Sequence, residues 1–191
     1  SGVRFPEESD GAAACADMVA QIAGRGPGRP VLMLHRNLPV WSALLPDAPV
    51  VHLVRDPRDV ARSSVRMGWA GNVHAGLRPW LDTEAAWAAA PAALRARALH
   101  MRYEDLVAHP EAELRRLCAF LGLDYAPQML RYDAHTSYAR PDPSLAFQWR
   151  GKATRREIRL VEGRASALME PLGYTPSGHG AHRPGRAELA W

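Results

Sequence analysis

The stretch Val50-Val51-His52-Leu53-Val54-Arg55-Asp56-Pro57-Arg58-Asp59-Val60-Ala61-Arg62-Ser63-Ser64 decides the fold. It opens on a run that is apolar apart from His52, the pattern of a strand buried on both faces. Asp56 then stands where a helix N-cap belongs, Pro57 in the first turn and Asp59 near the positive end, so a helix follows to about Met67. Strand, turn and helix in that order put Arg55 at the C-terminal end of a parallel strand. Open α/β sheets bind ligands at that edge, beside helix N-termini whose free N–H groups attract anions. A guanidinium there can offer a forked contact to phosphate or sulfate. Ser63 lies seven residues beyond Asp56, close to two helical turns, and adds a hydroxyl donor on the same side. Arg55 and Ser63 thus make a phosphate clamp; the competing arrangement pairs Arg55 with Asp56 or Asp59 and leaves Ser63 merely packed.

Outward from this segment, Val31-Leu32-Met33-Leu34 is a second continuous apolar run that reads as a buried strand. A short helix over Leu38 to Leu45 and a turn at Pro46-Asp47-Ala48-Pro49 join the two strands, which predicts a parallel βαβ unit. Before it, an alanine-rich helix runs from about Gly11 to Ala23 and is broken by the Gly24 to Pro30 segment. After it, a tryptophan- and glycine-bearing segment, Gly68 to Trp80, leads to a helix near Thr83 to Ala98 and a third strand at Leu99 to Tyr103. Pro110 opens a helix with Leu114, Leu117 and Leu121 at helical spacing, stopped by Gly122. Residues 126–148 look irregular. Thr154 to Glu157 is a capping box, and Ile158, Val161, Ala165, Leu168 and Leu172 line one face of the helix it starts. The expected architecture is one α/β domain over residues 1–176, a small parallel sheet flanked by helices, followed by a flexible tail at 177–191.

Composition narrows the function. The 191 residues are 47% hydrophobic and 23% charged with a net charge of +4, enough for a core and too apolar for a disordered chain. Lys152 is the only lysine, so all the other basic residues are arginine. They are spread along the chain with no basic block, which argues against a nucleic-acid partner. No apolar run is long enough for a membrane span and the N-terminus has no apolar signal core, so a cytoplasmic, membrane-free protein is expected. Cys15 and Cys118 have neither metal nor redox spacing, and Cys118 reads as a buried thiol. His179 and His182 have no companion ligands, so no metal site is expected. A Gly-x-Ser-x-Gly elbow is absent. So is a Gly-x-x-x-x-Gly-Lys-Ser/Thr loop, which sets a nucleotide kinase aside.

Three ordered blocks carry a resemblance: Pro46 to Ser64; Arg102-Tyr103-Glu104-Asp105-Leu106 with His109-Pro110-Glu111 and Phe120-Leu121-Gly122-Leu123; and Leu168-Met169-Glu170-Pro171-Leu172-Gly173-Tyr174. Over roughly residues 31–174 the chain resembles the sulfotransferases that use 3′-phosphoadenosine 5′-phosphosulfate, in their bacterial branch. The resemblance implies a P-loop NTPase-like sulfotransferase fold. In that family an arginine ends a strand and a serine follows eight residues later to hold the 3′-phosphate, places that Arg55 and Ser63 occupy. Tyr103 inherits the role of facing the adenine, and Arg150 and Lys152 that of closing over the 3′-phosphate. His35-Arg36-Asn37-Leu38-Pro39 stands where some members end a strand in lysine, any residue, histidine, leucine, proline. His35 is then the expected base and Arg36 the group that steadies the departing phosphate, with His74 a second candidate base.

The implied reaction moves a sulfuryl group to a hydroxyl, or an amine, of a small-molecule or carbohydrate acceptor, leaving 3′,5′-diphosphoadenosine and needing no metal. One family feature is not found. The strand and Ser/Gly/Thr-rich loop that wrap the 5′-phosphosulfate should precede Arg55 by many tens of residues, and nothing before Val31 reads that way. The chain is therefore expected to lack its N-terminal portion and the fold to be incomplete. The rival reading is a non-catalytic sulfotransferase-like module that binds nucleotide or a partner.

Overall fold

Two parallel strands organise the molecule: β1 (Val51–Val54) and β2 (Leu99–Arg102), paired from Val51 opposite Leu99 to Val54 opposite Arg102. This computed structural model describes residues 11–24, 28–35, 37–134, 136, 140–182 and 184–185. The register has a direct consequence. Arg55 and Tyr103 are the next residue on each strand, so parallel pairing carries both to the same sheet edge. β1 buries alternate residues, His52 and Val54, and exposes Val51 and Leu53. Its pattern is that of a strand covered on one face.

The crossover from β1 to β2 runs through α3 (Pro57–Arg66), α4 (Val73–Gly76), α5 (Arg78–Ala88) and α6 (Ala92–Ala96). Asp56 caps α3 as expected, its side chain accepting the Arg58 N–H. The single helix expected over 83–98 is instead two. Pro91 has no N–H to give a continuing helix and stands at the N-cap of α6. Strand β2 ends one residue early, and α7 (Tyr103–Ala108) begins there unannounced. Helix α8 (Pro110–Leu121) stops at Gly122, whose φ of 63° suits a residue without a Cβ. Single-turn helices fill part of the stretch expected to be irregular. α9 (Trp149–Lys152) then precedes α10 (Arg155–Met169), which starts at the expected capping box.

Helices α3, α4 and α10 bury Ala61, Val73, Val161, Ala165 and Met169 against Val54 of β1. α4 lies very close to α3: a Cβ on Gly76 would stand 2.7 Å from the Ala61 carbonyl oxygen.

Two further expectations are corrected. Val31 to Leu34 is not a strand. It precedes helix α2 (Leu38–Leu44) without regular structure, with Val31 86% and Met33 83% exposed. A strand needs a neighbour to exchange hydrogen bonds with, and among the described residues β1 pairs only with β2. The parallel pair is thus β1–β2, not a unit built from Val31 to Leu34 and β1. The stretch after Tyr174, expected to be loose from 177 on, is docked through its described part. The Thr175 carbonyl accepts from Arg58, Ser177 donates twice to Glu162, and the His182 N–H donates to the Arg159 carbonyl.

Candidate functional site

The end of β1 is held by a buried polar network. Arg58, 2% exposed, donates through Nε and Nη2 to Asp56 and through Nη1 to Glu162 of α10, the shortest contacts being 2.7 Å. Its guanidinium lies 3.6 Å from the centre of the Trp149 ring, and Trp149 Nε1 donates to Asp56 at 3.0 Å. The Asp56 N–H donates to Glu104, whose other oxygen accepts from the Tyr174 hydroxyl at 2.8 Å. Burial beside the Glu104 carboxylate pushes the Tyr174 hydroxyl far above its ordinary pKa, so it stays a donor. This lattice ties β1, α7, α9 and α10 together behind the sheet edge.

In front of it lies a cavity of about 220 Å³ lined by Arg55, Asp59, Arg62, Ser63, Val65, Arg66, Gln148, Lys152 and Glu157. Both members of the expected clamp, Arg55 and Ser63, therefore face one space, joined by Lys152. The competing pairing of Arg55 does not form. Asp56 is occupied by Arg58 and Trp149, and Asp59 accepts the backbone N–H groups of Gln148 and Trp149 at 3.1 and 2.7 Å. Burial raises the pKa of the Asp59 carboxyl, with the Trp149 N–H and the charge of Arg55 acting the other way.

Arg55 is fixed from several sides. Its carbonyl accepts from Trp80 Nε1 at 2.9 Å, its Nη2 donates to the Leu145 carbonyl at 3.1 Å, and its guanidinium carbon lies 4.3 Å from the centre of the Tyr103 ring. Its Nε is buried and has no hydrogen-bond partner among the described residues. A buried guanidinium N–H without an acceptor is costly. Four cationic side chains around two carboxylates give the cavity a positive balance. The lining therefore suits an anionic ligand.

The remaining expected residues lie elsewhere. Tyr103 is beside the cavity, with a ring face covered by Arg55. Arg150 rests on Phe147 and Trp149, its guanidinium carbon 4.5 and 5.7 Å from their ring centres, and does not line the cavity. His35 is exposed, and its carbonyl accepts from Thr83 Oγ1. His74 sits in α4, its carbonyl accepting from Arg164; burial and that guanidinium lower its imidazole pKa. Neither histidine lines the cavity. Arg36 lies outside the described residues. Cys118 is buried, against Met129.

Arg62 and Arg66 went unnoticed in the sequence, and Asp59 stood out only as a helix-start residue or rival partner of Arg55, although 59, 62, 63 and 66 follow the i, i+3, i+4, i+7 spacing of one helix face. Among the described residues no group of three His, Cys, Asp or Glu could hold a metal ion, and no helix is long and apolar enough to cross a membrane.

Comparison with known proteins gives the family and the fold. Human carbohydrate sulfotransferase 6 is 30% identical over 181 aligned residues, covering 73% of this chain and 46% of that protein. Human carbohydrate sulfotransferase 5 is 29% identical over 73% of this chain and 44% of its own length. The chain thus spans less than half the length of these relatives. Among solved structures, the sulfotransferase domain of the Synechococcus PCC 7002 olefin synthase superposes with a TM-score of 0.68 at 22% identity, over 85% of this chain and 65% of that one. The sulfotransferase domain from the curacin biosynthetic pathway gives 0.61 at 18% identity, over 86% and 68%. These likenesses establish the sulfotransferase fold. Residues 14–127 match the sequence pattern described as Sulfotransferase family, well over half of the chain, and with the 30% identical human relative this places the protein in the sulfotransferase family.

Proposed function

We propose that this chain provides the 3′-phosphate clamp of a sulfotransferase that uses 3′-phosphoadenosine 5′-phosphosulfate and sulfates a hydroxyl, or an amine, of a carbohydrate or small molecule. One observation carries the reading: Arg55, Ser63 and Lys152 line a single cationic cavity at the C-terminal edge of β1. Arg55 would give a fork, Ser63 a hydroxyl and Lys152 a point charge to the same phosphate. Tyr103 would limit the adenine side, and a 3′-phosphate requirement would separate this donor from ATP.

The donor supplies an activated sulfuryl group, whose bond to the phosphate oxygen breaks as the acceptor oxygen bonds to sulfur. His74 is one candidate base for the acceptor proton, its imidazole pKa lowered by burial and by Arg164. His35 is the alternative base, and Arg36 beside it would steady the departing phosphate. The carbohydrate acceptor is favoured by the relatives at about 30% identity, which are carbohydrate sulfotransferases.

A sulfur-labelled donor incubated with the protein and a panel of carbohydrates and simple alcohols tests the proposal. Label on an acceptor hydroxyl with stoichiometric release of 3′,5′-diphosphoadenosine is expected. Nucleotide binding with no transfer to any acceptor would replace it with the non-catalytic module.

A further inference from the structure

One side chain in the cavity has a partner that a ligand could displace. Arg62 precedes Ser63 on α3 and lines the same cavity. Its Nη1 donates to Glu157 Oε2 at 2.7 Å, and both side chains are near the surface, 28% and 30% exposed. That is its only polar contact among the described residues, so most of its N–H groups are uncommitted. Glu157 is in the opposite situation. The same Oε2 also accepts the Thr154 N–H at 2.7 Å and the Thr154 hydroxyl at 3.0 Å, as the reciprocal half of the α10 capping box. Glu157 therefore keeps two donors if Arg62 leaves.

Charge explains why the pair stands at this cavity. The Glu157 carboxylate is the counter-ion for the arginine next to the clamp serine. A phosphate near Ser63 carries more negative charge than a carboxylate and offers more acceptor oxygens, so it competes for the same guanidinium. An exposed ion pair is weak, commonly ~0–1 kcal/mol, so releasing it costs little.

We propose that Arg62 is a further cationic arm of the clamp, latched by Glu157 in the free protein and transferred to the 3′-phosphate when nucleotide binds. On this account Arg62 contacts the ligand, whereas Glu157 is a positioning residue. The pair sets how strongly the protein prefers a nucleotide with a 3′-phosphate. The inference rests on the clamp reading of Arg55 and Ser63 and adds to it a residue pair that competes with the ligand.

Calorimetry on the full chain with 3′,5′-diphosphoadenosine and adenosine 5′-monophosphate tests it. Arg62→Ala is expected to weaken the diphosphate about tenfold, the scale of one charge-assisted hydrogen bond, and to leave the monophosphate unchanged. Glu157→Gln, which keeps a capping-box side chain, is expected to tighten the diphosphate severalfold, again with no change for the monophosphate. A pair that only stabilises the fold would move melting temperature, or both nucleotides alike. The latch is overturned if Arg62→Ala leaves diphosphate affinity unchanged, or if Glu157→Gln fails to raise it. Loss of discrimination in Arg55→Ala alongside an unchanged Arg62→Ala would sink the latch and spare the clamp. Equal behaviour of the two nucleotides with the unmodified chain, including no binding of either, overturns both.

Discussion

Replacing Arg58 by methionine should destabilise the protein by about 3 kcal/mol, at the lower end of the ~3–5 kcal/mol for removing one partner of a buried ion pair. Methionine keeps most of the length of the side chain and its contact with the Trp149 ring. It removes the charge and four donated bonds, two to Asp56, one to Glu162 and one to the Thr175 carbonyl. The carboxylates left behind are not bare. Asp56 still accepts from the Arg58 N–H and Trp149 Nε1, and Glu162 from the Ser177 N–H and hydroxyl. Those remaining donors are why the lower end applies. Against a total stability of ~5–15 kcal/mol this is a large fraction, and at ~2–4 °C per kcal/mol for a domain of this size the melting midpoint should fall by about 6–12 °C. Urea unfolding followed by circular dichroism measures it. A change under about 1 kcal/mol would refute the claim that Arg58 is the hub of the network behind the site.

Three further outcomes follow from other parts of the molecule. Gly163→Ala should cost about 1–3 kcal/mol and expose the 175–182 segment to limited proteolysis, because a Cβ at Gly163 would collide with the His182 backbone; an unchanged cleavage pattern would contradict the docking. His100 shares a 3.0 Å Nδ1–Nδ1 contact with His52, whose Nε2 lies 2.9 Å from Glu84. Burial, then the neighbouring His52, lower the His100 pKa below its ordinary 6.5, and His74 is lowered likewise by burial and Arg164. The unfolded chain therefore binds these protons more readily. Stability should be full above pH ~6.5 and fall as the pH drops from there through the folded-state values, and His100→Gln should flatten that slope in chemical denaturation between neutral and mildly acidic pH. His74→Ala should slow sulfuryl transfer by about a hundredfold or more while leaving nucleotide affinity alone; an equal rate would move the base to His35.

Much of the site could be read from the sequence because it rests on local rules. Asp56, Pro57 and Asp59 specify a helix start by capping and charge, and a helix of known pitch places Ser63 relative to Arg55. Arg55 and Tyr103 required only the additional knowledge that the two strands are parallel neighbours. What escaped was tertiary. Val31 to Leu34 has the composition of a buried strand, but a strand forms only against a partner, and composition does not reveal whether one is there. The surrounding alanines suggested one helix over 83–98, whereas Pro91 splits it. Glu157 was legible as a cap, yet its second contact, to Arg62, spans 95 residues. The same holds for Glu162, whose three donors come from Arg58 and Ser177 rather than from its own helix.

The central claim is that Arg55 and Ser63 form a clamp for the phosphate on the ribose 3′ position. Its most direct test is calorimetric titration of the unmodified chain and of Arg55→Ala with 3′,5′-diphosphoadenosine and with adenosine 5′-monophosphate. The account predicts tighter binding of the diphosphate by the unmodified chain, and loss of about 1.5–3 kcal/mol of that preference in the variant. Equal preference in the two proteins would contradict it.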